Sequence, residues 1–222
     1  MIETVNLTKS YTANGSPVKA VDNASMSVAK GEFVSIAGHS GSGKTTLLSL
    51  IGGLTKAESG TVLIDGSDIW SMDDDALSRF RNRKINFVYQ FSSLIPTLTV
   101  FENVLLPTAF GQYGEDTGEY ALELLNKVGL TDKASSYPSQ LSGGQQRRVA
   151  IARAFINRPT IILADEPTGD LDEETEREII GLFREMNESA GITFIIVTHN
   201  KDIAAQTKRR FKMVNGVLSE AP

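Results

Sequence analysis

The sequence predicts an α/β fold in which a mostly parallel sheet carries an N-terminal antiparallel β subdomain and a helical insertion. Short strand patterns crowd the first third of the 222-residue chain, and from Val100 to about Leu130 the periodicity is helical with no strand-like run. In the second half strands alternate with helices, the pattern of a parallel sheet covered on both faces. Ile161-Ile162-Leu163-Ala164 and Phe194-Ile195-Ile196-Val197 are apolar without alternation, as strands buried on both sides should be.

Taken in order, Glu3–Leu7, Ala24–Val28, Glu32–Ala37 and Thr61–Asp65 read as strands, with turns at Asn14-Gly15-Ser16-Pro17 and Lys30-Gly31. A helix follows Gly43, and Leu47, Leu48, Leu50, Ile51 and Leu54 form its expected buried face. Asp73-Asp74-Asp75 is the acidic first turn of a helix running to about Arg83, because the helix macrodipole favours negative charge there. Ile85–Tyr89 reads as a strand. The helical stretch beyond Val100 is interrupted by Pro107 and by Gly111 to Gly118. A helix from about Ser142 to Asn157, a strand at Thr160–Ala164 and a helix near Glu173–Ser189 follow, the last with Ile179, Ile180, Leu182, Phe183 and Met186 inward. The chain ends with a strand at Ile192–Val197, a short helix after Asn200 and a hairpin around Asn215-Gly216. No repeat or low-complexity stretch divides it. The expected organisation is one domain over residues 1–222, with a core plus β subdomain at about 1–90 and 158–222 and a helical subdomain at about 91–157.

Composition narrows the function. Apolar residues at 41% and charged residues at 22% support one packed core and exclude a disordered chain. With 22 basic against 27 acidic residues the net charge is −5, which argues against a protein whose main task is neutralising nucleic-acid phosphates. There is no cysteine, and the only histidines are His39 and His199, so thiolate and multi-histidine metal sites are excluded. The longest apolar run is four residues, and Met1-Ile2-Glu3-Thr4 lacks the basic-then-apolar pattern of an export signal; the expectation is a soluble protein of a reducing compartment.

Gly38-His39-Ser40-Gly41-Ser42-Gly43-Lys44-Thr45 fits G-x-x-x-x-G-K-[ST] between an apolar strand and an apolar helix. Glycines let the backbone fold closely enough for successive amides to point at an anion, and the helix start adds partial positive charge. Lys44 brings a mobile cation to the β- and γ-phosphates, and the Thr45 hydroxyl can enter the shell of a magnesium ion. The expected nucleotide-binding set is Gly38, Ser40, Gly41, Ser42, Gly43, Lys44, Thr45 and Thr46, with His39 solvated. Ile161–Ala164 ends in Asp165-Glu166, which places a carboxylate at the carboxyl edge of a buried strand, where open α/β sheets bind ligands. Adjacent strand residues point to opposite faces. Asp165 is therefore assigned to magnesium and Glu166 to polarising the attacking water as general base; the bland reading is a pair of acids capping the turn before Pro167. ATP or GTP binding follows, with hydrolysis.

Leu141-Ser142-Gly143-Gly144-Gln145 opens a second helix, another start able to meet an anion. One chain thus carries two phosphate-seeking helix starts. A self-consistent solution is a two-fold dimer in which each nucleotide lies between one copy's Gly38–Thr45 and the other's Ser142–Gln145.

With these motifs in this order, the chain resembles the ATP-binding subunit of an ABC transporter over almost all its length. Gly38–Thr45 matches the Walker A motif, Gln90 the Q-loop glutamine, Leu141–Gln145 the ABC signature and Ile161–Glu166 Walker B. Gly169-Asp170-Leu171-Asp172 stands at the D-loop, His199 at the switch histidine, and Tyr11 at the aromatic that stacks on adenine. The resemblance implies the ABC ATPase fold, a P-loop NTPase core with the two subdomains above. It implies that Gln90 reaches magnesium and water and links nucleotide state to the partner. Ser142 and Gly144, within Ser142-Gly143-Gly144-Gln145, would contact the γ-phosphate across the dimer, Asp172 would couple the two sites, and His199 would contact the γ-phosphate from its own side. His39 replaces a common proline, Thr45 a commoner serine, and Asp170 sits where small or amide residues are frequent.

Tyr89-Gln90, Leu94-Ile95-Pro96-Thr97-Leu98-Thr99, Glu102-Asn103-Val104, Pro107, Tyr137-Pro138-Ser139-Gln140 and Ala164–Gly169 look most like the lipoprotein-releasing and macrolide-exporting branch. Cell-division ATPases are close relatives. The resemblance implies ATP and Mg2+ as cofactors, a second copy and an integral-membrane permease as partners, and a peripheral place on the inner face of the cell membrane in the cytoplasm. ATP-driven dimer closure would power export or extrusion of a lipoprotein- or macrolide-type substrate. The alternative is a non-transporting transmitter of force or signal at the membrane. Phe91–Val100 is the candidate docking surface. Arg81, Arg83, Lys84, Arg147, Arg148 and Lys208–Arg210 are scattered among acids and read as solvated faces, so no nucleic acid is expected.

Overall fold

The computed structural model describes all residues except Asn14, Gln112, Tyr113, Glu115, Asp170 and Pro222, and for Ala13 and Lys201 the backbone alone. The chain runs β1 (Ile2–Ala13), β2 (Ser16–Val28), β3 (Phe33–Ala37), α1 (Lys44–Ile51), β4 (Ser59–Ile64), β5 (Ser67–Asp68), α2 (Asp74–Lys84) and β6 (Ile85–Val88). It continues through α3 (Val100–Leu105), α4 (Thr117–Lys127), α5 (Gly143–Phe155), β7 (Ile161–Asp165), α6 (Glu173–Ala190), β8 (Thr193–Thr198), α7 (Lys201–Ala205), β9 (Arg209–Val214) and β10 (Val217–Ala221). Pro107 opens a short 3-10 stretch, Leu106–Phe110, where its missing N–H is not needed. Within the expected Gly111–Gly118 break, Gln112, Tyr113 and Glu115 lie outside the described residues.

Two sheets result. An antiparallel sheet has the order β2-β1-β4-β5, and a six-stranded sheet the order β10-β9-β3-β8-β7-β6. In the second sheet β9, β3, β8, β7 and β6 run parallel and β10 returns antiparallel to β9. The first two strands are far longer than Glu3–Leu7 and Ala24–Val28. Bulges between Thr4 and Ser10, with Asn6 and Asn23 in left-handed conformations, shift the register and hide the continuation from any period-2 pattern. Of the expected turn Asn14–Pro17, Asn14 lies outside the described residues, while Ser16 and Pro17 are already in β2. Pro17 is tolerated because β2 is an edge strand.

The unbroken apolar runs of β7 and β8 wall off two cores. Ile162, Ala164, Phe194 and Ile196 face one, with Val104, Leu124, Val149, Ile151, Phe155 and Phe183 from the helical layer. Ile161, Leu163, Ile195 and Val197 face the other, with Leu47, Leu50 and Ile51 of α1 and Val62 and Ile64 of β4. Leu54 does not extend the α1 face as expected. The helix ends at Gly52, the chain turns at Gly53 with φ 69°, and Leu54 is exposed. Leu182 is only partly buried, packed against the helical core. Among the described residues no helix is long and apolar enough to cross a membrane.

Candidate active site

Four parallel strands end at one edge and deliver the motif residues there. The phosphate loop leaves β3, Gln90 follows β6, Asp165 closes β7, and His199 follows β8. The cleft between them, about 360 Å³, is lined by Ala20, Ser40, Gly41, Ser42, Gly43, Lys44, Thr45, Thr46, Gln90, Asp165, Glu166 and His199. This is the place where open α/β sheets take ligands.

Backbone geometry shows why the loop needs its glycines. Gly41 and Gly43 have φ of 76° and 104°, and a β-carbon on Gly43 would lie 1.9 Å from the Ala20 carbonyl oxygen. Among the described residues no side chain caps the N-terminus of α1, so its N–H groups stay available. The Lys44 ammonium is buried and donates to the Gly38 and His39 carbonyls at 2.8 and 3.1 Å. Among the described residues the buried Ser42 hydroxyl finds no hydrogen-bond partner. An unpaired buried donor is costly, and a phosphate oxygen seated in the loop is the acceptor it fits. From behind, Gly216 N–H donates to the Ser42 carbonyl at 3.0 Å, and Gly216 C=O accepts from Asp22 N–H at 2.9 Å. His39 is exposed, as expected.

One of the two carboxylates departs from expectation in direction. Glu166 is not a strand residue pointing to the opposite face. It leaves β7 with φ 45°, and this left-handed step turns its carboxylate into the same cleft as that of Asp165. Burial pushes the Asp165 carboxyl up, opposed by a hydrogen bond from the Thr45 hydroxyl; Glu166 adds a further upward push and Lys44 a downward one. Glu166 is held by Thr198 Oγ1 and the His199 N–H, both donating to Oε2 at 3.1 and 3.3 Å. His199 Nδ1 lies 3.0 Å and Lys44 Nζ 3.8 Å from Oε1. Among the described residues no group of three or more histidine, cysteine or acidic side chains could hold a metal by itself. Magnesium characteristically takes one or two protein oxygens plus phosphate and water, and the Thr45–Asp165 pair supplies that kind of donor set.

Other expected residues lie elsewhere. Gly38 sits at the loop's root; a β-carbon there would meet the Met213 carbonyl and Ser42 Oγ at 2.5 and 2.6 Å. Tyr11 does not line the cleft; it pairs with Val18 across the β1–β2 hairpin, half-exposed, with Lys9 Nζ 5.7 Å from its ring centroid. Ser142, Gly143, Gly144 and Gln145 also lie off the cleft. Ser142 caps α5 by accepting from Gln145 N–H at 3.2 Å, the Gln145 side-chain oxygen accepts in turn from Ser142 N–H at 2.9 Å, and Gly143 has open space beside it. Asp172 caps α6 by accepting from Thr175 N–H and Oγ1 and from Glu174 N–H, and these bonds, those of Thr175 foremost, hold its carboxyl below its ordinary value; Asp170 lies outside the described residues. Within Phe91–Val100 only part is exposed. Phe91 is 73% exposed, but Val100 is fully buried and the Asn103 amide pins the segment through the Ile95, Leu98 and Thr99 carbonyls. Ala20 and Thr198 belong to the site without any motif signal; their chemistry is a carbonyl against Gly43 and a hydroxyl on Glu166.

Comparison with known proteins agrees with this geometry. The family model described as ABC transporter matches residues 21–169. The lipoprotein-releasing system ATP-binding protein LolD of Bacteroides thetaiotaomicron is 44% identical over 221 residues, 99% of this chain and 100% of that one. The macrolide export ATP-binding/permease protein MacB of Rhodopirellula baltica is 40% identical over 99% of this chain, which spans 33% of that longer protein. A dimeric structure of the ATP-binding cassette MJ0796, in a post-hydrolysis state bound to ADP and Pi, is 42% identical, with a TM-score of 0.91 over 99% of this chain and 98% of its own. That cassette comes from Methanocaldococcus jannaschii. The likeness first carried by a handful of motifs extends over the whole fold: the chain belongs to the ABC transporter family and is one of its ATP-hydrolysing, ATP-binding cassettes.

Proposed function

We propose that this cassette powers a separate integral-membrane permease by closing with a second copy around two ATP molecules and reopening after hydrolysis. One observation carries the reading: the Ser142–Gly144 helix start is well formed and open, yet it lies off the chain's own cleft, as a group serving another copy's nucleotide would. The relatives named for lipoprotein release and macrolide export support extrusion of a substrate of that kind. The cassette then sits on the inner face of the membrane, held there by its permease. A groove of about 490 Å³ lined by Leu54, Arg79, Arg81, Phe87 and Phe110, together with exposed Phe91, is the surface offered to that partner.

In this reading Gly38–Thr46 cradles the triphosphate, and Lys44 exchanges its carbonyl partners for phosphate oxygens. Tyr11 stacks on the base. Thr45, Asp165 and Gln90 hold Mg2+, which neutralises charge on the phosphates. Glu166, oriented by Thr198 and the His199 N–H, takes a proton from the attacking water, and His199 and the second copy's Ser142 contact the γ-phosphate. Because ATP bridges the two copies and its products do so less well, dimer affinity changes with nucleotide state, and that difference is the work available to the permease.

The test combines trapping and capture. Glu166→Gln should slow hydrolysis by roughly a hundredfold or more while retaining ATP, so that light scattering with ATP and magnesium reads twice the monomer mass. Ser142→Glu in the same background should return the monomer. A monomer that hydrolyses ATP at full rate and ignores the Ser142 change would sink the shared-site reading. Gentle detergent purification from native membranes should bring down a permease; a bare soluble homodimer would remove the transport role.

A further inference from the structure

Arg147 lies on α5, one turn beyond the Ser142 start, with its side chain buried. Its guanidinium donates to three main-chain carbonyls from separate segments: Tyr89 at 2.9 Å, Glu166 at 3.4 Å and Gly169 at 3.4 Å. Tyr89 immediately precedes Gln90. Glu166 is the residue whose left-handed φ turns its carboxylate into the cleft, and its carbonyl also accepts from Gly169 N–H at 3.1 Å. A β-carbon on Gly169 would lie 3.7 Å from Gln90 Nε2, so the three tethered segments meet beside the Gln90 side chain.

We propose that Arg147 is a positioning residue for hydrolysis, tying the helix that begins at Ser142 to the backbone of Glu166 and of Tyr89 and Gly169 beside Gln90. The inference rests on reading Glu166 as the base and Ser142 as a contact to the second copy's nucleotide. A guanidinium is a rigid planar fork with several donors in fixed directions. Bonded to three carbonyls at once, it makes their segments shift together with α5. When the Ser142 end of α5 seats on the second copy's ATP, the displacement passes through one side chain to the conformation of Glu166, so each copy's carboxylate is aligned only when its own helix is engaged. Lysine offers a compact point charge that cannot reproduce the fork, and methionine fills the space with no donor.

The experiment uses the full chain with ATP and magnesium and compares Arg147→Met, Arg147→Lys, Glu166→Gln and the Arg147→Met/Glu166→Gln pair. Arg147→Met should lower kcat about tenfold or more through misplacement of the reacting groups, with the ATP dissociation constant within about twofold of the parent. Arg147→Lys should recover part of kcat. Because Arg147 acts through Glu166, Arg147→Met should cost less than about twofold further once Glu166 is already glutamine. A folded Arg147→Met protein with parental kcat, or penalties that multiply in the pair, overturns the proposal. If Arg147→Met does not fold, Arg147→Lys takes its place under the same two criteria. If Glu166→Gln alone leaves turnover intact, the base assignment fails, a result distinct from a parental Arg147→Met beside a crippled Glu166→Gln.

Discussion

A β-carbon on Gly43 would stand 1.9 Å from the Ala20 carbonyl oxygen and 2.8 Å from the Met213 methyl, at a φ of 104°. Backbone strain of this kind costs of order 1–3 kcal/mol, and here it falls on the loop that must close around phosphate. Gly43→Ala should therefore weaken ATP binding by roughly tenfold or more, measured by titration of the folded variant; parental affinity would refute the assignment of this loop. The phosphate loop was legible in the sequence because closely folded backbone leaves glycine no substitute at such places. The direction of Glu166 was not legible, since a non-glycine residue with φ 45° carries no compositional mark. Arg147, expected on a solvated face, is buried instead, because a helical arginine pattern says nothing of three carbonyl acceptors contributed by other segments.

Helix starts show how local chemistry sets each element. Thr99 and Glu102 form a reciprocal capping box at α3, and Asp172 caps α6. Backbone and hydroxyl donors hold the carboxyls of Glu102 and Asp172 below their ordinary values of 4.5 and 3.8. A carboxyl whose value is depressed on folding contributes stability that is complete above its unfolded value and disappears as pH falls through the folded one. The melting temperature should accordingly fall as pH drops from about 5 towards 2. Glu102→Gln keeps the capping geometry without the titration, so it should flatten that slope; an unchanged slope would mean that other groups govern acid stability. At this scale the sequence was readable where pattern and chemistry agree, as in α2, whose acidic first turn stands as expected at Asp74 and Asp75, with Asp73 one place earlier as its cap. It was not readable in β1, where bulges break the alternation, nor at Leu54, where Gly53 redirects the chain before the apolar period is complete.

At the scale of the whole molecule, β7 and β8 are a common wall whose alternate residues belong to opposite cores. The rings of Phe155, Phe183 and Phe194 meet on the helical side, with centroids 5.2 to 6.3 Å apart. Phe183→Ala should remove about 3–5 kcal/mol. Since the wall is shared, the loss should appear in denaturant titration as one transition at a lower midpoint with the slope kept; two separated transitions would show the layers melting independently. The two buried strands at the heart of the parallel sheet were foreseeable from their apolar runs, whereas its last strand pair acts at a distance that no local pattern reveals. Gly216, at the tip of the terminal hairpin, grips Ser42 on one side and Asp22 on the other. That turn is therefore a brace behind the bed on which the triphosphate rests, and a change of its backbone would be felt by the nucleotide although it touches no phosphate.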